Sequence, residues 1–519
     1  MSDVCSRSPS PAPLDSSKKS VQGWAKWTAV FDLRAAYFAL LALMTLPVLF
    51  PIPRTADLVN HWARLTILSM PASDPLNAFY RVEWGVIPNL GIDLIYVVLA
   101  PLLSVDIIVR FAFSLSFWLP AIGAWFLHGA WAQKPSPTIL IVPVLSYNLV
   151  TTVGLVNYGI GIGIALIALG WWVSKERRRM AHDLLIVNAV AVALFFCHLM
   201  AFAGFCIIFG LLEATPRRGE SFKTTFWRAL QSPLYVAVGL VLVWSMPPMP
   251  SGYQIVGQKF WIFVAPIFSG LPYEIQWGAG LAAMILALFA TRLVVIVETA
   301  RWTILSFFIL AVFAPSSIGT ANFVDARLVV LWVYLALSAT VARVPEPRHL
   351  TGVISAAVIV FACTRLALLL PEWKSYNGDV AEMRMAFSAI PLGSSVLAVT
   401  PPNCEDPNLN FEYNLSTFAV IDRRSQVNTL FAGQGLQPLR ARDPAVAAAP
   451  QTIAKSQWLR ETAQSKAEML AAGAGAIAHW RDVFNVVVEI HGSCESAVTA
   501  PGLERVASSR IADVYIASP

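Results

Sequence analysis

Charge is what this sequence has least of. Asp, Glu, Lys and Arg together make up 13% of its 519 residues, about half the share of a soluble domain. Such a chain cannot cover itself with a solvated surface, which excludes an ordinary soluble globule. Cysteine is sparse too, with six residues and none at metal-ligand spacing. Cys197, Cys206 and Cys363 fall in apolar runs and read as packing residues. Cys404 and Cys494 share a soluble segment, where pairing needs an oxidising compartment, and spacing does not show whether they meet. The run "LVNYGIGIG" lacks the strand–helix setting of a nucleotide fingerprint, so Gly159, Gly161 and Gly163 read as a close-packing stripe. No repeat relates the two halves, which argues against a transporter built from inverted repeats.

What is abundant is apolar. Hydrophobic residues reach 57%, eighteen of them Trp, and mean hydropathy is +0.62. Apolar runs of membrane-spanning length recur from about residue 35 to 371. The net charge of +6 lies largely in short loops between these runs, where it reports topology rather than nucleic-acid binding. Residues 1–30, rich in Ser and Pro with Lys18, Lys19 and Lys26, read as a disordered cytoplasmic tail. Helix 1 (about 35–52) then exits to the outer side. If residues 86–104 also spanned, the basic "SKERRRM" would lie outside, against the positive-inside rule. That segment carries Pro88, Asn89, Gly91, Asp93 and Pro101, so it is assigned to the outer interface, flat or re-entrant. The run 183–213 is split in two near His198. The fold expected is therefore an α-helical polytopic membrane protein of about eleven spans over 31–371. Its outer loop is 53–105, and a soluble α/β domain follows at 372–519. In that last stretch "SVLAVT", "FAVIDR", "FNVVVEI" and "DVYIA" read as strands, and 376–390 and 456–480 as helices.

The polar exceptions cluster. In "RTADLVNHWARL" Asp57, Asn60, His61 and Arg64 stand at i, i+3, i+4 and i+7, one face of a helix. A carboxylate and an imidazole one turn apart suit a base and its orienter, and an Arg suits a phosphate. The bland alternative is an interfacial helix with its polar face in water. Arg81 and Glu83 share the loop. His198 in "FFCHLMAF", Asn157 and Tyr158, Arg110, Lys259, and the Asp325/Arg327 pair also map to the outer side under this topology.

This layout resembles the GT-C superfamily of polytopic glycosyltransferases. Asp57 matches the acid that follows helix 1 in that family. "WGVIPNLGIDLIY" resembles its interfacial segment and "VRFAFSL" its arginine-led helix, while "VGLVNYGIG" falls where relatives carry a second acid. The chain departs from the pattern in having Leu58 beside Asp57 and Asn157 in place of the second acid. The resemblance implies a bacterial inner-membrane enzyme, N-terminus cytoplasmic and C-terminal domain periplasmic, without a nucleic-acid partner. It would transfer a sugar from a polyprenyl-phosphate donor to an envelope glycan, lipid or protein acceptor. Asp57 would be the base, assisted by His61. Asn60, Arg64, Glu83, Arg110, Asn157, His198, Lys259 and Arg327 would bind substrate. No cofactor is specified, and a divalent metal is left open. A lipid-linked glycan flippase and a non-catalytic assembly partner are the competing readings.

Overall fold

A computed structural model describes residues 33–518 apart from short internal stretches (134, 176–179, 218, 247–251, 255–258, 272–273, 320, 344–347, 403, 405–411, 433–436, 444–445, 447–452 and 472–473). The expected N-terminal tail and the arginine run 177–179 lie outside the described residues. Helices dominate. In chain order those used below are α1 (Leu33–Leu43), α2 (Leu58–Ser69), α3 (Gly91–Leu99), α4 (Val105–Ala132), α5 (Leu149–Val153), α6 (Val156–Val173), α7 (Met180–Cys197), α8 (Leu199–Ala214), α9 (Glu274–Ala290), α10 (Glu298–Phe313), α11 (Val324–Ser338) and α12 (Arg348–Phe387).

Among the described residues five helical segments are long and apolar enough to cross a membrane: Val105–Ala132, Val156–Val173, Met180–Cys197, Phe222–Trp244 and Gly352–Phe387. Four shorter apolar segments, Leu33–Leu49, Pro137–Val153, Leu199–Ala214 and Glu274–Ala290, accompany them. Many large side chains point outward, including Trp244, Leu286, Trp302, Phe313 and Val360. Helices that are apolar toward both the core and the outside mark a membrane-embedded chain. The α3 helix, at nine residues, rises only about 14 Å and is too short to cross.

Small residues set the tightest packing. A Cβ on Gly163 would lie 2.3 Å from Leu119 Cβ, and one on Gly159 2.4 Å from the Ser116 carbonyl, so both let α6 press on α4. Gly161, on another face, does the same against Ala201 of α8. The expected split near His198 is present, because that residue is the extended N-cap between α7 and α8.

Two expectations are corrected in the C-terminal half. The last apolar helix does not stop near residue 371. The α12 helix runs through Pro371 for 40 residues, about 60 Å, twice a hydrocarbon core. It therefore absorbs the separate helix expected at 376–390. Pro371 removes one backbone donor, but here it does not end the helix. "FAVIDR" is a helix, Phe418–Arg423, rather than a strand. It lies in the connection between two parallel strands, which a tight hairpin cannot join.

The strands used below are β1 (Tyr80–Val82), β2 (Ser395–Val399), β3 (Gln426–Val427), β4 (Leu439–Ala441), β5 (Val486–Ile490), β6 (Leu503–Ser508) and β7 (Ala512–Ala517). Five form one sheet in the order β6-β7-β5-β2-β3. The β5-β2-β3 part is parallel, and β6 and β7 add antiparallel. All five residues of β5, "VVVEI", are buried, as a strand covered on both faces requires. A disulfide joins Cys404 to Cys494 beyond the ends of β2 and β5. A second, two-stranded sheet pairs β1, which lies between α2 and α3, with β4 of the C-terminal region, antiparallel. Together with α12, this pairing brings the C-terminal region onto the loop that carries Asp57.

Candidate functional site

The site begins with a glycine. Asn148 caps α5 by accepting from the Val150 and Thr151 amides, and Gly154 ends that helix in the left-handed region at φ 85°. The preceding carbonyls are then free for another segment of the same chain. The Ala56 amide donates to Thr152 O at 3.2 Å and the Asp57 amide to Val153 O at 2.8 Å. A Cβ on Gly154 would sit 3.0 Å or less from the Leu58 and Asp57 amide nitrogens. Only glycine allows the approach that seats Asp57 as the N-cap of α2.

The α2 helix is not the half-wet interfacial helix of the bland reading. Every residue from Leu58 to Ile67 is buried. Its polar face therefore points into protein, where each group needs a partner. Arg64 finds several. It forks onto Asp93 of α3 at 2.8 and 2.9 Å, donates to Gln437, and donates to His61 Nδ1 at 2.9 Å. A guanidinium has no acceptor, so His61 Nδ1 must accept. The imidazole is then neutral, with its proton on Nε2. Burial, and then the Arg64 charge, hold the His61 pKa well below its ordinary value.

His198 carries the same tautomer for a different reason. Its Nδ1 accepts from the Met200 amide at 3.1 Å, which leaves the Nε2 position to carry the proton. That Nε2 faces Arg327 Nη1 at 3.4 Å. Two donors thus meet without an acceptor between them. Arg327 Nε has no hydrogen-bond partner either. Its guanidinium lies 5.9 Å from the Tyr158 ring, and the Tyr158 hydroxyl donates to Arg327 O at 2.8 Å, locking α6 to α11.

Asp57 is set deep among these groups and keeps a partly exposed surface. Burial pushes its carboxyl up to about 7, against a smaller opposing pull from Arg327. No ion pair joins the two residues among those described. Asn414, from the C-terminal region, donates to Asp57 Oδ1 at 3.2 Å. Thr55 Oγ1 and both amide atoms of Asn60 are buried without hydrogen-bond partners. In chemical terms the site is one carboxylate near neutrality, two neutral imidazoles offering N–H, a guanidinium, and an unpaired amide and hydroxyl. It can take a proton and hold an anionic oxygen.

The other residues singled out in the sequence fall elsewhere. Asn157 accepts from the Ile92 amide at 2.7 Å and donates to Asn89 O at 2.6 Å, so it clamps the start of α3. Glu83 is exposed and pairs with Arg81 and Arg440. Lys259 pairs with Asp325 at 2.6 Å, which frees Arg327 from the partner adjacency suggested. Arg110 is half-buried on α4 and joins no ion pair among the described residues. Sequence reasoning missed Asn414, Gln437, Thr55 and the role of Gly154. Only the glycine carried a local signal, standing between two apolar helical runs.

Among the described residues no group of three His, Cys, Asp or Glu side chains is placed to hold a metal ion. A divalent metal does not fit the cluster either. It has one carboxylate, and both imidazoles accept at Nδ1 and keep the proton on Nε2. An apolar cavity of about 320 Å³ lies apart from it, lined by Leu145, Trp277, Leu281, Met284, Val358 and Phe361. No known protein-family profile matches the chain, and no curated protein sequence matches it.

Proposed function

We propose that this protein is a membrane glycosyltransferase of GT-C type, with eleven spans, an inner-side N-terminus and an outer α/β domain at 372–519. It moves a sugar from a polyprenyl-phosphate donor to an envelope acceptor. The observation that carries the reading is the convergence of unpaired donors on His61, His198 and Arg327 around a carboxyl poised near pH 7. Asp57 takes the proton of the acceptor hydroxyl as that oxygen bonds to the anomeric carbon. The bond from that carbon to the phosphate oxygen breaks, and the phosphate leaves as charge builds on it. Arg327 and the two Nε2–H groups face that charge. The apolar cavity against α9 and α12 accommodates part of the prenyl chain.

The test is direct. Purified protein given radiolabelled polyprenyl-phosphate sugars should release polyprenyl phosphate, and Asp57→Ala should abolish release. Undiminished release by the alanine variant sinks the assignment. Asn157 stands where relatives of that type carry a second acid, and its amide is spent on backbone, which favours a non-catalytic assembly partner as the runner-up. Absence of release with every donor would select that reading.

A further inference from the structure

The Asp57 carboxylate and the C-terminal region are 357 residues apart in sequence at their point of contact. That contact is a single side chain. Asn414 Nδ2 donates to Ala56 O at 3.1 Å and to Asp57 Oδ1 at 3.2 Å. The Ala56 carbonyl can only accept, so it settles which end of the amide faces the loop. One amide hydrogen is committed to the backbone and the other is aimed at the carboxylate.

The amide is held firmly. Asn414 belongs to a buried 3-10 turn, Tyr413–Thr417. The Tyr413 hydroxyl donates to Ala398 O of β2 at 3.1 Å, and the Ser416 hydroxyl meets Thr429 at 2.7 Å. The same region touches α2 twice more, through Phe418 against Trp62 and Gln437 at Arg64. The C-terminal region and the α2 segment are thus joined at three points around Asp57.

We infer that Asn414 is a positioning residue for Asp57, so that the C-terminal region forms one wall of the reacting site and orients its base. This rests on Asp57 being the reacting group of the proposed function. A donor on Oδ1 fixes the rotation of the carboxylate, leaves Oδ2 to take the reacting proton, and favours the ionised form against burial. Losing it costs the base both its orientation and part of its ionisation.

The experiment reads Asp57 directly, without requiring turnover. Dicyclohexylcarbodiimide reacts with protonated carboxyls in apolar surroundings, and the labelled Asp57 peptide is quantified by mass spectrometry across pH. Wild-type labelling should fall with a midpoint near 7. Asn414→Leu should raise that midpoint by about one pH unit. Asn414→Asp, of the same shape but carrying a second carboxylate, should raise it further. Should the leucine variant not fold, the aspartate variant alone decides. Unchanged midpoints in the folded variants overturn the inference. Shifted midpoints in a protein that transfers no sugar uphold it while the glycosyltransferase reading falls. Where transfer is observed, the pH profile of sugar transfer must shift with the labelling midpoint.

Discussion

Asn60 provides the sharpest test of the site, because structure and function demand opposite things of it. The residue is 1% exposed, and neither Oδ1 nor Nδ2 has a hydrogen-bond partner. A buried polar group left unpaired costs about 1–3 kcal/mol. Two such atoms on one side chain therefore weaken the empty protein by about 2–6 kcal/mol. Leucine has nearly the same shape and no polar atoms, so Asn60→Leu should recover most of that. In detergent, thermal unfolding followed by intrinsic fluorescence should move up by several degrees. An amide that offers one donor and one acceptor complements a sugar hydroxyl, which needs both. The variant should thus lose affinity, with KM for donor or acceptor raised about 10-fold, the scale of one hydrogen bond. A melting temperature that falls, as for an ordinary core substitution, would refute the reasoning. It would mean the amide is satisfied within the folded chain.

Three further outcomes follow from the same geometry. Asp57 has a folded-state pKa of about 7 against 3.8 for a free carboxyl, so the fold favours its protonated form. That stability is complete below about pH 4, is lost as pH rises, and levels off above 7. Asp57→Asn should flatten the slope and leave the variant more stable at pH 8 by up to about 4 kcal/mol, while abolishing transfer; a slope that persists in its melting curves refutes the assignment of the pH dependence to Asp57. Gly154→Ala forces a Cβ onto the Asp57 and Leu58 amides at positive φ. It should cost about 1–3 kcal/mol and lower kcat more than KM, and a variant with wild-type kcat would show that Asp57 is seated some other way. Arg64→Met leaves Asp93 buried and unpaired. Destabilisation of about 3–5 kcal/mol is expected, readable as a lowered midpoint in denaturant titration.

Much of the site was visible in sequence as a face but not as a set of contacts. The i, i+3, i+4, i+7 spacing of Asp57, Asn60, His61 and Arg64 is intrinsic to a helix, and the structure keeps them on one helix, with Asp57 as its cap. What spacing left open was whether that face met water. The answer depends on partners brought from far along the chain, Asp93 of α3 and Phe418, Gln437 and Asn414 of the C-terminal region. Arg64 reads as a phosphate ligand until Asp93 is brought against it from α3. Arg327 reads as paired to Asp325 until Lys259 claims that carboxylate.

The sequence alone determined the membrane character, the close-packing role of the glycines on α6, and the break near His198. Each follows from properties of one residue or one helical turn: transfer of apolar groups from water, the absence of a Cβ, a polar side chain within an apolar run. The tertiary structure decided which polar groups are spent on the fold and which are left to act. That choice is pairwise. His198 meets Arg327 across 129 residues and Asn414 meets Asp57 across 357. No local pattern encodes such partners, because the energy of a buried polar group depends on what the folded chain places opposite it.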